Sequence, residues 1–421
     1  MRNEFKVISE QSKKYPKLQT LMHFVNKDNL LWEHNHTSPK KAVGVDGVTK
    51  EMYEENLNQN LDTLLAKMKT FSYRPKPTRK VDIPKENGKT RTLGISSYED
   101  KLVEGVMADI LSAVYEPRFH ECSYGFRPNR NMHQAIGAIN HSIMFERINY
   151  IIDFDIKGCF DNMDHKWMMK FLENDIQDKN YLRYIVRFLK SGILEGETYI
   201  DNEVGIKQGN RISPTLANVY MHYVLDEWVE KVIKRHARGK VRLVRFADDS
   251  VILCQNEKDA KEIFEILPKR LEKFGLEMNK DKSKIIPFGR FKGTKETFDF
   301  LGFTFINGKT REGKYRPVIH TSKKKMKKSK QNIKKYLYEN MHTPVSTVMN
   351  MLVTKIRGHF NYYGVNGNFK SLQKYIKYVK YSYYRILRRR GQKHPIKYQD
   401  FLRIWNGWEM PKVKIYKNIW Y

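Results

Sequence analysis

The run VRLVRFADDSVILC, residues 241–254, constrains this chain more than any other stretch. Two apolar, β-branched segments joined by a short polar turn read as a hairpin, with strands at Val241–Phe246 and residues 250–254. Asp248 and Asp249 therefore sit at or beside its tip. Roughly ninety residues upstream lies IIDFDI. Strand alternation there puts Ile151, Asp153 and Asp155 on one face and Ile152, Phe154 and Ile156 on the other. One Asp-Asp pair alone is ordinary turn chemistry. Two carboxylate-bearing strands that converge would offer hard oxygen ligands to a pair of Mg²⁺ ions about 3.5–4 Å apart. That chemistry serves nucleotide addition, one ion activating a primer hydroxyl and the other steadying pyrophosphate. The competing reading for Asp153, Asp161 and Asp164 is capping of the helix that starts near His165, and for Asp164 capping is preferred.

Charge points to the same partner class. The chain carries +31 at pH 7 over 421 residues, and residues 321–421 hold 24 Lys and Arg against 3 Asp and Glu, a net +21 of that total. Such an excess attracts polyanions and releases their counterions. Aromatic residues are interleaved with the charge, among them Tyr362, Tyr363, Tyr381 and Tyr384, as stacking on unpaired bases requires. The length allows two to four structural units. No apolar run is long enough for a membrane span and the start lacks a secretory signal, so a cytoplasmic protein without membrane contact is expected. Three widely spaced cysteines, Cys122, Cys159 and Cys254, predict neither disulfides nor a zinc nuclease module.

Periodicity fills in the rest. We read a helical lead over residues 18–34, a turn at residues 43–47 and a helix through Leu65. A hairpin follows, residues 79–83 against 91–95, with Asn87 and Gly88 in its turn. Helices are expected over residues 100–114, after Asn131, from His165, from Ser213 and over residues 259–274, with another hairpin about Asn307 and Gly308. From Thr321 onward only helices are expected. The class is α+β with a basic helical end, residues 1–310 forming one domain and 311–421 the other.

Eight blocks in order, AVGVDGVT, RKVDIPKENGKTRTLGI, SYGFRPNRNMHQAI, DFDIKGCFDNMDH, GIKQGNRISPTLANVYMHYVLDEW, RFADD, LEMNKDKSKI and FLGFTF, resemble the group II intron reverse transcriptases, or maturases, of bacteria. The resemblance spans nearly everything from Leu18 to the C-terminus. It implies a right-hand polymerase, fingers and palm with an antiparallel palm sheet and then a helical thumb or maturase domain, without the endonuclease domain some relatives carry. It implies RNA-directed DNA synthesis from dNTPs on an RNA template and DNA primer, with two Mg²⁺ (Mn²⁺ able to substitute). Binding of a group II intron RNA to assist splicing is also implied.

Residue by residue, Asp155, Asp248 and Asp249 match the catalytic metal ligands, with the backbone of Ile156 beside them. Lys85 and Arg91 match groups that grip the triphosphate, Phe160 a gate against the ribose 2′-hydroxyl, and Gln208 and Gly209 the nucleotide-site pair. Lys282 matches a lysine near the pyrophosphate, either a general acid or a surface charge. Phe300, Leu301 and Gly302 match a strand of the primer grip. Lys323, Lys324, Lys325, Lys327, Lys328, Arg388, Arg389 and Arg390 would bind RNA. The chain departs from the family's Pro-Gln-Gly-Gly block, with Lys207 before the glutamine and Asn210 after the glycine, and has Phe246 where tyrosine is usual. Two alternatives therefore stay open: an RNA-binding splicing cofactor with little polymerase role, and an enzyme recruited from a mobile element to phage defence or DNA repair.

Overall fold

The computed structural model describes residues 3–84, 90–196, 198–201, 203–391 and 394–420. At its centre lies a four-stranded antiparallel sheet in the order Lys284–Pro287, Tyr150–Phe154, Asp249–Cys254, Val241–Phe246. Both faces of this sheet are covered, which explains why its strands are nearly continuous apolar runs. Ile152, Phe154, Leu243 and Ile252 face one core, packed by the helices Tyr98–Tyr115, His165–Asp175, Ser213–Met221 and Glu257–Glu272. Ile151, Val244, Val251 and Leu253 face a second core built from Met132–Phe145, a three-stranded sheet and the C-terminal helices.

The three-stranded sheet joins Thr297–Phe300, Phe303–Lys309 and Tyr315–Thr321, all antiparallel. Helices Lys323–Glu339, Val345–Tyr363, Phe369–Arg390 and Tyr398–Asn406 follow. Residue 310 lies in the turn between the last two strands, where the Thr310 N–H donates to the Lys314 carbonyl at 2.7 Å. The class is α+β, as the sequence predicts.

Local chemistry sets the boundaries. Asn131 forms a full capping box with Gln134, and Asp164 caps its helix by accepting from the Trp167 N–H at 2.8 Å, as preferred for that residue. A second sheet holds Thr78–Pro84 against Thr90–Ile95 with Ile83 opposite Arg91 and Arg79 opposite Ile95, the register read from the sequence. Asn87 and Gly88, expected to turn that hairpin, lie outside the described residues.

Two expectations are corrected. Residues 18–34 are not one helix: the Asp178 carboxylate accepts the N–H groups of Leu21 and Met22 at 2.7 and 2.8 Å, and only a single 3₁₀ turn, Met22–Phe24, precedes the α-helix Lys27–His36. Asn307 and Gly308 do not turn a hairpin but lie within Phe303–Lys309, opposite Pro317 and Arg316. The Asn307 side chain is occupied instead in bonding Gly289, Thr294 and Tyr315, and a Cβ on Gly308 would meet Val318 Cγ2 at 2.5 Å.

Candidate active site

The central hairpin turns at Ala247 and Asp248. Phe246 pairs with Asp249, and Ala247 takes φ 58°, a left-handed conformation that costs a non-glycine residue. The neighbouring strand pairs Phe154 with Ser250, so the ladder leaves Asp155 beside the turn. The backbone breaks there into a short strand, Ile156–Lys157, paired with Glu277–Met278. Ile156 itself is buried in the first core. The two carboxylate elements of the sequence are thus brought together.

Their electrostatics follow from that crowding. Asp248 and Asp249 are open to solvent at the turn but have protein packed around them. Burial lifts the Asp249 carboxyl to about 6, with Asp248, Asp155 and Asp153 raising it further and Lys325 opposing. Asp248 is raised by burial and by Asp155, against Arg91. Asp153, half-buried, is pushed up to about 6 by burial, with Lys284 pulling the other way. These carboxyls act on one another electrostatically against Lys284, Arg91, Lys325 and Lys282, and although no three of them bring their oxygens within 4.8 Å of one another, their oxygens are donors of the kind that suits a hard divalent cation. Asp155 is held by Lys282 Nζ and Asn279 Nδ2, each 3.1 Å from its Oδ2. Lys282 therefore stands in the site as an ion-pair partner of Asp155.

What sequence reasoning missed is the clamp beneath the turn. Arg245 is fully buried. Its Nε and Nη2 donate to the two carboxylate oxygens of Asp226 at 2.7 and 2.6 Å, and its Nη1 to Asn218 Oδ1 and the Ala247 carbonyl, each at 3.0 Å. Ser123 Oγ accepts from it at 2.8 Å. Gly125 presses on the same turn from residues 123–125: a Cβ there would collide with the Ala247 nitrogen. An arginine within an otherwise apolar strand gives no hint of this role by itself, which exists only once Asp226 and Asn218 converge on it.

Of the nucleotide-site candidates, Arg91 and Gln208 line a cavity of about 380 Å³ between the second sheet and the residues 204–208 loop, while Gly209 and Lys282 do not. Arg91 donates to Gln208 Oε1, and Gln208 Nε2 donates to Asp161 Oδ1 at 3.3 Å. Gly209 has φ 115°, and a Cβ there would lie 2.7 Å from the Gly94 oxygen, so both torsion and space demand glycine. The departures from the family block are structural: buried Lys207 donates to the Ser191 carbonyl at 2.5 Å and to its hydroxyl at 2.7 Å, while Asn210 is buried. Burial lowers the Lys207 ammonium to about 8. Phe160 packs in the first core and is not among the cavity's lining residues, although its neighbour Asp161 is. Lys85 lies outside the described residues.

Residues 300–303 are corrected from a strand to a tight turn. Phe300 pairs with Phe303, and Leu301 and Gly302 at φ 47° and 79° form a two-residue hairpin loop. Its carbonyls are taken: Tyr362 Oη donates to Leu301 at 3.1 Å and the Ser322 N–H to Gly302 at 2.9 Å. Lys325 and Tyr362 come close enough to Asp249 to interact with it electrostatically. Lys323, Lys324, Lys327 and Lys328 remain exposed on the same helix. Arg388, Arg389 and Arg390 are elsewhere, at the far end of the bundle. Arg389 donates to Tyr338 Oη at 2.8 Å and Arg390 to the Thr343 carbonyl at 2.9 Å, about 20 Å along the helix from Lys325.

A family model described as reverse transcriptase (RNA-dependent DNA polymerase) matches residues 83–305. Protein YkfC of Escherichia coli K12 is 29% identical over 312 residues, covering 65% of this chain and 78% of that one. The group II intron-encoded protein LtrA of Lactococcus lactis is 29% identical over 282 residues, 62% of this chain and 46% of LtrA. A COX1/OXI3 intron 1 protein of Saccharomyces cerevisiae is 26% identical over 433 residues, 85% of this chain and 51% of that protein. The chain thus spans about half the length of the latter two. Because the matched model covers more than half the chain and runs through Asp155, Asp248 and Asp249, the chain belongs to the reverse transcriptase (RNA-dependent DNA polymerase) family, with intron-encoded proteins among its relatives.

Proposed function

We propose that this chain adds dNTPs to a DNA primer on an RNA template, and that it also binds a group II intron RNA and assists its splicing. Reverse transcriptases use divalent cations; here Asp155, Asp248 and Asp249, with the Ile156 backbone, would hold two Mg²⁺ ions, for which Mn²⁺ can substitute. Bound there, the ions would supply charge neutralisation at the primer hydroxyl and the leaving pyrophosphate. The single observation that carries this reading is the strand ladder that sets Asp155 beside the Asp248–Asp249 turn.

The chain's own groups do the rest. Arg91 and Gln208, already bonded to each other, would orient a triphosphate and its sugar, and Gly209 lets the loop behind Gln208 approach Gly94 closely. Lys282 would exchange its ion pair with Asp155 for the developing charge on pyrophosphate. Phe160 acts from the core behind Asp161, setting the shape of the wall against a 2′-hydroxyl. The residues 300–303 turn, with Tyr362, would steady the primer end. Residues 1–310 serve as fingers and palm and 311–421 as a thumb whose exposed lysines track the RNA.

Primer extension on an RNA template, dNTPs against rNTPs, tests this directly. Asp248→Ala and Asp249→Ala should each reduce extension about a thousandfold or more while RNA binding is retained, since preorganised charge stabilisation of that size rests on the ligands. Extension that survives the double substitution would overturn the reading. A protein that binds intron RNA and promotes splicing yet never extends a primer would leave only the splicing role.

A further inference from the structure

The helix that runs on from Ser213–Met221 contains two π-helical turns, His222–Asp226 and Val229–Ile233. Within an α-helix, residues five apart point about 140° away from each other. The wider π turn closes that angle: the Glu227 N–H donates to the His222 carbonyl, and the His222 and Glu227 side chains come to one side of the helix. There they meet His120, from the loop after Tyr98–Tyr115. His120 Nε2 lies 2.8 Å and His222 Nε2 3.6 Å from the same oxygen of Glu227, Oε1. Among the described residues this is the one trio of His, Cys, Asp or Glu side chains whose ligand atoms all lie within 4.8 Å of one another.

Geometry and donor chemistry distinguish this place from an ordinary ion pair. The other Glu227 oxygen, Oε2, is held by Lys231 at 2.5 Å, which leaves Oε1 turned to both imidazoles. His222 is buried, and its Nδ1 has no hydrogen-bond partner but faces Asp226 Oδ2 at 3.9 Å. Asp226, bonded to Arg245 through both oxygens, thus lies on the side from which a carboxylate supports a metal-ligating histidine, at a distance longer than a hydrogen bond. Two nitrogens and one oxygen form a borderline set that favours Zn²⁺ and its neighbours over Mg²⁺, so the cation class differs from that suited to the carboxylates about the Asp248–Asp249 turn.

We propose that His120, His222 and Glu227 bind one Zn²⁺-class ion, with a fourth position open to water and Asp226 as the supporting carboxylate. The π turn is what makes the site. Asp226 is also the partner of Arg245, so the ion would brace the group that holds the Ala247 turn. This inference stands apart from the polymerase reading and does not depend on it.

The test uses the full chain, free of any affinity tag, stripped with chelator and kept in excess Mg²⁺. Titration with Co²⁺ should give a visible ligand-field band that saturates at one equivalent per chain and is displaced by Zn²⁺. Zn²⁺ should raise the melting temperature of the stripped protein. His120→Ala should weaken Co²⁺ binding at least about tenfold and abolish the Zn²⁺-dependent rise. His120 is partly exposed, and an unchanged melting temperature of this variant without metal serves as its folding control. Glu227→Gln should weaken binding in the same sense. A wild-type chain without the band, or a His120→Ala chain that binds as tightly as wild type, would overturn the site and leave a hydrogen-bonded His–Glu pair.

Discussion

Arg245 touches no reacting atom, yet the Ala247 turn rests on it. Removing a guanidinium from a fully buried pair leaves Asp226 charged and unpartnered, so Arg245→Met should cost about 3–5 kcal/mol of stability in urea denaturation. Arg245→Lys should recover part of that stability but less of the activity, because one ammonium cannot reach Asp226, Asn218 and the Ala247 carbonyl together. His359 gives a pH prediction. Burial holds its imidazole down to about 4, so the folded state binds fewer protons than the unfolded one below the free-histidine value of about 6.5. Its contribution is present above that value and is lost as pH falls from about 6.5 through 4. His359→Phe, which keeps a ring against Tyr375 at the 3.7 Å stacking position, should flatten the acid limb of melting temperature against pH over that window. At this scale the placement of Asp155 after its strand and of Asp248 and Asp249 at their turn was legible because each sits in a short local pattern. Arg245 and Lys207 were not, because their partners come from distant segments.

Hairpins decide most of what happens at the scale of elements. The residues 79–83 and 91–95 pairing was legible down to its register, since polar turn residues flank two clear strands. The Asn307–Gly308 pair carried the same signal and was misleading: its asparagine bridges three other segments and its glycine makes room for Val318. The two-residue loop at Leu301 and Gly302 was missed for the converse reason, since Leu-Gly between phenylalanines looks like continuous strand. Gly302→Ala should cost about 1–2 kcal/mol, from its φ of 79° and from crowding by Tyr363 Oη at 3.1 Å, measured by thermal melting. The π turns could not be read at all, because a single widened turn leaves the surrounding apolar period nearly intact.

For the whole molecule, charge and shape work together. The exposed Lys323, Lys324, Lys327 and Lys328 project from a helix whose Lys325 acts electrostatically on Asp249, so the basic surface leads up to the Asp248–Asp249 turn. Neutralising the four exposed lysines should reduce the slope of log affinity against log salt for RNA by about 3 to 4. Filter binding over a salt series checks this, and an unchanged slope would put the RNA elsewhere. The uneven charge was plain in the sequence. The sharing of a core was not, since composition cannot tell which face of a sheet a distant helix covers.

That shared core has a practical consequence. Ile151, Val244, Val251 and Leu253 are sealed from water by side chains that run as far as Phe401, Trp405 and Ile419. A fragment trimmed to the family-matched segment would expose an oily wall directly behind its own carboxylates. Anyone seeking a minimal enzyme from this chain should expect precipitate from such a truncation, and should shorten surface loops instead.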